Sequence, residues 1–161
     1  MTEPPAEILS RLRPVPTYTD HPTTRPHDVV GVDPAGAPCR IDVVEAAAPV
    51  LLLFLSAGCS GCRDLWEGLP DLRAGLGGAA RLAVVTRSPG EEDPDAIATL
   101  AGAAPDERAV AIVMSTPAFR DYRVGGPPFL VVASAHAVLT ESVAWGLDQT
   151  LQIALGAVRP A

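Results

Sequence analysis

Two cysteines lie three positions apart in a Cys-Ser-Gly-Cys segment at residues 59–62. They lie just after the most hydrophobic run of the chain, residues 50–55, and a stretch with helical patterning follows them. Thiols at this spacing are close enough to form one small disulfide ring. If a helix begins at Cys59, its free backbone N–H groups and positive end favour a thiolate there. The pattern therefore predicts a redox-active dithiol.

Other interpretations of this cysteine pair are a metal-binding loop and an inert structural pair. A Cys-x-x-Cys segment supplies two ligands, whereas a closed zinc site needs four. Cys39 and the histidines at 21, 27 and 136 fall in no ligand spacing, so we expect no metal site. Cys39 is expected to be a small, partly buried residue without a role, and a regulatory third thiol is the alternative.

The chain length, the net charge and the type of basic residue argue against several classes of partner and of chemistry. A chain of 161 residues is one domain by length. A formal net charge of −7 argues against nucleic acid or an anionic membrane as a partner. All 12 basic residues are arginine, which removes Schiff-base chemistry and the lysine of a phosphate-binding P-loop.

The chain divides into a proline-rich N-terminal arm at residues 1–28 and a folded domain at residues 29–161. No stretch reaches the roughly 18 consecutive apolar residues of a transmembrane helix. Residues 1–20 lack the apolar segment of a signal peptide. The sequence as it stands predicts a cytoplasmic protein. An extracytoplasmic, membrane-tethered protein is the alternative if an anchor was removed.

Hydrophobic patterning predicts an α/β fold. Val29–Val32 and Arg40–Val44 flank a turn and predict an N-terminal β-hairpin, while residues 50–56 predict a strand buried on both faces. A helix follows Cys59, with four leucines on one face and a kink or split at Pro70. Further strands are predicted at 81–86, 109–114, 129–133 and 138–143, and further helices at 94–102, at 116–122 and from 147. This order favours a mixed central β-sheet with helices on both faces.

A second motif precedes one of these strands. Residues 122–130 read Tyr-Arg-Val-Gly-Gly-Pro-Pro-Phe-Leu. This segment resembles the thioredoxin superfamily, in which a Tyr-x-Val-x-Gly-x-Pro pattern precedes an antiparallel strand. The positions that match are Tyr122, Val124, Gly126 and Pro128. The resemblance implies that Pro128 is a cis-proline facing the cysteine pair, with Pro127 as the alternative if the register slips by one.

The early hairpin and the run Leu-Leu-Leu-Phe-Leu-Ser-Ala-Gly-Cys-Ser-Gly-Cys make the resemblance closest to TlpA/ResA-like thiol–disulfide oxidoreductases, over residues 29–161. It implies a thioredoxin-like fold with Cys59 as the attacking thiol and Cys62 as the resolving thiol. The residues expected to contact a substrate are Gly58, Trp66, Gly126, Pro127 and Pro128. The implied partners are protein thiols or disulfides and an upstream electron donor. The sulfurs carry the electrons, so no cofactor is expected, and we expect a monomer.

Three positions depart from the superfamily pattern. Gly58 stands before the first cysteine, where Trp is usual, and Leu53 stands where thioredoxin carries a buried carboxylate. Phe129 follows the expected cis-proline, where Thr is frequent. These differences favour a slower or partner-restricted protein over a fast general reductase. The direction of exchange, reduction or oxidation, stays open at this stage.

Two other functions fit parts of the pattern. A peroxiredoxin-like thiol peroxidase would need a hydroxyl three residues before its cysteine, which Ser56 supplies, and a proline further upstream, which is absent. A non-catalytic binding module on the same fold is the second alternative. Trp66 and Trp145 are expected to pack rather than bind, although Trp66 also suits the wall of a partner groove.

Overall fold

A computed structural model describes residues 25–102 and 110–159 of the chain. The strands in these ranges are β1 (Val29–Val32), β2 (Pro38–Ile41), β3 (Val50–Phe54), β4 (Arg81–Thr86), β5 (Ala111–Met114), β6 (Phe129–Ala133) and β7 (Val138–Val143). They form one mixed sheet in the order β2-β1-β5-β4-β3-β6-β7. Within the same ranges, a 3₁₀ helix at Ser60–Cys62 precedes five α-helices: α1 (Arg63–Glu67), α2 (Leu69–Leu76), α3 (Pro94–Leu100), α4 (Thr116–Asp121) and α5 (Leu147–Val158). The predicted order of elements and the α/β class are confirmed.

Strand β3 lies inside the sheet, between β4 and β6, and leads to the cysteine pair. It pairs in parallel with β4 and antiparallel with β6, and all five of its residues are buried. A continuous apolar run suits this position because both faces of the strand are covered. Leu51 and Leu53 face one hydrophobic cluster, while Val50, Leu52 and Phe54 face the other.

Helices cover both faces of the sheet, as the sequence predicts. Leucines of α1 and α2, Ile97 of α3 and Ala154 of α5 belong to one cluster. Phe119 and the neighbouring Tyr122 pack on the other face, where Phe119 makes an edge-to-face contact with Phe54 at 5.0 Å between ring centroids. The buried leucines of α1 and α2 are the four predicted for one helical face: Leu65, Leu69, Leu72 and Leu76.

The helix predicted after Cys59 is divided into three pieces. The 3₁₀ turn leads into α1, which ends at Glu67, and Gly68 separates α1 from α2. Pro70 lies in the first turn of α2, where its missing N–H breaks no helical hydrogen bond. The predicted break is therefore present, but it lies before Pro70 because proline is well suited to begin a helix.

The second strand of the hairpin differs from the prediction of Arg40–Val44. It spans Pro38–Ile41, because the Asp33 carboxylate accepts hydrogen bonds from two backbone N–H groups and closes the turn early. The backbone N–H groups of Val43 and Val44 donate to the Asp28 carboxylate at 2.7 and 2.9 Å instead of continuing the strand.

Asp28 and Tyr122 hold the start of β1. Asp28 also pairs with Arg40, and its pKa is lowered from the ordinary value, chiefly by the hydrogen bond from Val43. The buried Tyr122 hydroxyl donates to the carbonyl of His27 and accepts from its N–H. Burial raises the pKa of Tyr122 to about 12.

Residues 1–24 of the predicted arm lie outside the described residues, so its boundary at residue 28 stays a prediction. Residue 109 of the strand predicted at 109–114 is also outside them. None of the helices in the described ranges is long and apolar enough to cross a membrane.

Candidate redox-active site

The loop that follows β3 places the first cysteine. The indole N–H of Trp66 donates to the Ser56 carbonyl at 3.1 Å, which ties the loop to α1. On another side, the backbone N–H of Ala57 donates to the Glu92 carboxylate at 3.4 Å. The N–H of Gly58 reaches the Ser56 hydroxyl at 3.3 Å. These contacts hold the chain in place immediately before Cys59.

Cys59 and Cys62 are joined by a disulfide, with 5.3 Å between their Cα atoms. Cys62 is fully buried in the cluster that contains Leu53, whereas Cys59 is half-buried. The backbone N–H of Cys62 donates to the carbonyl of Cys59 at 3.1 Å. Cys59 is thus the member of the pair that a second molecule reaches from solvent.

Cys59 occupies the position immediately before the 3₁₀ helix, in an extended conformation with φ −90° and ψ 116°. The sequence predicts a helix start at this residue, and the structure confirms it, although the first turn is 3₁₀ rather than α-helical. Free N–H groups at such a turn still favour negative charge on a nearby sulfur. No side chain caps this helix start.

The peptide bond between Pro127 and Pro128 is cis, so Pro128 is the cis-proline and the alternative register is excluded. A Cβ added at Gly61 would lie 3.6 Å from Cγ of Pro128, which places the proline ring against the segment between the cysteines. The carbonyl of Pro128 accepts from the N–H of Ala144 at 3.2 Å. Pro127 is half-buried and has no N–H to offer.

A cavity of about 330 Å³ opens beside Cys59. It is lined by Ala57, Gly58, Cys59, Ser60, Arg63, Trp66 and Leu100. Gly58 and Trp66, both predicted to contact a substrate, therefore lie in one cavity with Cys59. Gly126 and Pro127 lie instead in the loop before β6, on the side of the cis-proline.

Some features of the site are absent from the sequence-based predictions. Arg63 and Leu100 both line the cavity, and no local pattern marks Leu100 because it comes from α3, far along the chain. Trp145 was expected to pack, and this is wrong: it is 77% exposed. It follows Ala144, the residue paired with Pro128, so it lies near the cis-proline loop.

The buried sulfur of Cys62 has an apolar environment. Leu53, Leu55 and Leu65 belong to the same cluster as Cys62. Since Leu53 replaces a carboxylate, β3 supplies no proton acceptor for Cys62. Within residues 25–102 and 110–159, no group of three or more histidine, cysteine or acidic side chains could hold a metal ion.

Comparisons with known proteins agree with this architecture. Among solved structures, a putative thiol:disulfide interchange protein DsbE from Chlorobium tepidum superposes with a TM-score of 0.64 at 19% identity, over 84% of this chain and 96% of that one. The thioredoxin domain of a thiol-disulfide oxidoreductase from Bacteroides vulgatus gives 0.61 at 17% identity, over 83% and 94%. A secreted disulfide oxidoreductase of Mycobacterium tuberculosis gives 0.57 at 17% identity, over 80% and 92%.

Scans of protein-family models and of curated sequences find no match to this chain. The structural similarity covers most of the chain. The fold predicted from the two motifs is confirmed: this chain has a thioredoxin-like fold.

Proposed function

We propose that this protein is a thiol–disulfide oxidoreductase that exchanges disulfides with protein partners through Cys59 and Cys62. One observation carries the proposal: a disulfide with one half-buried and one fully buried cysteine follows the buried strand β3 and lies against a cis-proline. The names of the similar structures support the same function.

In the reductive direction, the Cys59 thiolate attacks one sulfur of a partner disulfide. The partner S–S bond breaks, its other sulfur leaves as a thiolate, and a mixed disulfide forms. Cys62 then loses its proton and attacks the sulfur of Cys59, which releases the second partner sulfur. Two electrons have moved to the partner, and the Cys59–Cys62 disulfide has formed. The reverse sequence oxidises a partner dithiol.

The apolar surroundings of Cys62 bear on the second step. A buried thiol without a nearby base ionises reluctantly because burial disfavours its charged form. We therefore expect resolution of the mixed disulfide to be slow unless the bound partner supplies a base. This expectation agrees with a partner-restricted protein rather than a general reductase.

The cis-proline loop is proposed to bind the partner backbone. A strand-like partner segment beside Pro127 finds a carbonyl that accepts a hydrogen bond but no N–H that donates one. Backbone pairing there is limited to one hydrogen bond at this residue. Side-chain contacts near Gly58, Trp66 and Gly126 must then contribute more to partner recognition.

The exchange needs no bound cofactor, because the two sulfurs carry the electrons. An upstream dithiol or disulfide donor must reset the pair after each cycle. The structurally similar M. tuberculosis oxidoreductase is a secreted protein, which favours the extracytoplasmic location over the cytoplasmic one. A monomer suffices for this chemistry, since both sulfurs come from one chain.

The reduction potential of the Cys59–Cys62 pair is the first test. The protein is equilibrated in glutathione buffers of graded ratio and its free thiols are trapped. A reversible two-electron transition near about −270 mV indicates a reductant, and one near about −120 mV indicates an oxidant. Absence of any reversible transition contradicts the proposal.

Trapping identifies which cysteine attacks. Cys62→Ser removes the resolving thiol, so the mixed disulfide between Cys59 and its partner should accumulate and resist everything except added reductant. Cys39→Ser in the same background is the matched control, since Cys39 lies in the hairpin strand β2. Failure of Cys62→Ser to trap any disulfide-bearing protein counts against Cys59 as the attacking thiol.

A further inference from the structure

One wall of the cavity beside Cys59 is the indole ring of a buried tryptophan. Its indole wall, Trp66, is 3% exposed and is held by the hydrogen bond to the Ser56 carbonyl. Leu100 and Ala57 add apolar surface from α3 and from the loop before Cys59. Its volume of about 330 Å³ is at the low end for ligand pockets, which suits one or two side chains of a partner.

Arg63 provides the cavity with its positive charge. Arginines that form ion pairs in the described residues do so elsewhere: Arg40 with Asp28 and Asp42, and Arg87 with Glu91. Within residues 25–102 and 110–159, Arg63 has no acidic partner within ion-pair distance. Its guanidinium is therefore available to a ligand.

The acidic residues near Arg63 in the chain do not line the cavity. The chain has a net charge of −7, and Asp64 and Glu67 are exposed on the same helix as Arg63 but do not line the cavity. Glu92 is engaged by the Ala57 N–H at the base of the loop. Arg63 is the one charged residue among those that line the cavity, so a partner carboxylate is attracted to this point of an acidic protein.

The shape and charge together fit an aspartate or glutamate side chain. A guanidinium binds a carboxylate through two parallel N–H donors, and the apolar walls contact the methylene groups. Because Cys59 lines the same cavity, that acidic residue must be adjacent to the cysteine under attack. A lysine in its place would meet Arg63 directly.

We propose that Arg63 and this cavity select partner disulfides whose cysteine is flanked by an acidic residue. The inference rests on the proposed function, since it requires Cys59 to be the attacking thiol. It assigns Arg63 as a specificity-determining residue. The occupant is a segment of a partner polypeptide in extended conformation, with its cysteine at Cys59 and its acidic side chain in the cavity.

The test uses reduced protein and three homodimeric peptide disulfides, identical except for Glu, Gln or Lys next to cysteine. Stopped-flow rate constants are each divided by the rate of the same peptide with dithiothreitol, which removes the peptide's own reactivity. We expect Glu to react about threefold faster than Gln, and Lys about threefold slower, with smaller ratios at high salt. Arg63→Gln should abolish the advantage of the Glu peptide over the Gln peptide, and Arg63→Glu should make the Lys peptide the fastest.

Two controls separate selection from other effects. Hydroxyethyl disulfide has no charge, so its rate with Arg63→Gln measures any general effect of the arginine on the Cys59 thiolate. Arg73→Gln alters an exposed arginine on α2 outside the cavity and should leave the peptide ratios unchanged.

Equal normalised rates in the unmodified protein, or unchanged ratios in Arg63→Gln, overturn the assignment while exchange itself persists. Absence of exchange with every peptide and with hydroxyethyl disulfide, in protein that retains its circular dichroism spectrum, overturns the proposed function as well. The two failures are therefore distinguishable.

Discussion

Two polar regions of this molecule differ in whether their polar groups are paired within the fold. Around Asp28, the carboxylate accepts two backbone N–H groups and pairs with Arg40, and the nearby Tyr122 hydroxyl both donates and accepts. Around Cys59, the helix start has no side-chain cap and Arg63 has no acidic partner among residues 25–102 and 110–159.

This difference indicates that the Asp28 region contributes to the stability of the fold and the Cys59 region to the proposed exchange reaction. A polar group that is fully paired inside the fold stabilises it and has nothing left for a ligand. Groups held in place but left unpaired are available for binding and reaction. The Asp28 region should therefore respond to mutation through the free energy of unfolding, and the Cys59 region through exchange activity.

The largest effect is expected from Cys59→Ser. A serine hydroxyl does not ionise at neutral pH and forms no disulfide, so exchange should fall to the rate of a buffer without protein. The measurement is reduction of a peptide disulfide, with thermal unfolding as a parallel readout of folding. Exchange retained by Cys59→Ser would show that Cys59 is not the attacking thiol. A Cys59→Ser variant that no longer folds would indicate that the disulfide is structural.

Asp28→Ala is expected to lower the free energy of unfolding by about 2 kcal/mol, because it leaves two backbone N–H groups and Arg40 without their acceptor. Urea unfolding at pH 7 measures the loss. Asp42→Ala is the matched control: Asp42 contacts the same Arg40 but is exposed, so its loss should stay below about 0.5 kcal/mol. Equal losses would contradict the comparison.

The effect of Asp28 should depend on pH. Its pKa is lowered in the folded protein, chiefly by the Val43 N–H, so its contribution is present above the ordinary value of 3.8. It is lost as pH falls through the lower folded value. The difference between the unmodified protein and Asp28→Ala should thus be full at pH 7 and shrink below pH 3.8, as urea unfolding at graded pH can show.

A difference of intermediate size is expected between the reactivities of the Cys39 and Cys59 thiols. Burial, with a smaller contribution from Asp33, raises the pKa of the Cys39 thiol, and its sulfur lies 3.8 Å from the Ile112 carbonyl. In reduced protein at pH 7, Cys39 should react with iodoacetamide about tenfold more slowly than Cys59. Peptide mass spectrometry at graded times measures both rates. Faster labelling of Cys39 would revive a redox role for this third thiol.

The smallest effect is expected from Tyr122→Phe, which removes one hydroxyl and leaves the ring packed against Phe54. The loss at pH 7 should be about 1 kcal/mol, with exchange activity unchanged. Because burial raises the pKa of Tyr122 to about 12, this stabilisation is full below pH 10 and is lost as pH rises through 12. A gap in melting temperature that widened above pH 10 would contradict this assignment.

Sequence patterns predict most of the fold because its strands are short apolar runs between clear turns. The bounds of β1, β4, β6 and β7 agree with the prediction. The error at β2 arose because hydrophobicity suggests a strand through Val44, whereas the Asp28 carboxylate claims the N–H groups of Val43 and Val44. A hydrogen bond between residues about 15 positions apart in the chain produces no periodic pattern of hydrophobic residues.

The site was predictable only where one motif contains its residues. Both cysteines come from one segment, and the cis-proline follows from the resemblance, although only the structure distinguishes Pro128 from Pro127. The cavity was not predictable, because Leu100 reaches it from a separate helix. The exposure of Trp145 was also missed, since a large aromatic ring is usually buried.

The two tryptophans give this protein an optical reporter of its own chemistry. Trp66 is buried and lines the cavity together with Cys59, while Trp145 is mostly in water. An excited indole close to a disulfide loses its emission by electron transfer, and an indole in water emits at longer wavelength. Reduction of the Cys59–Cys62 disulfide should therefore increase the fluorescence of Trp66 at the shorter wavelengths. In Trp145→Phe this increase would be measured without the longer-wavelength fluorescence of Trp145.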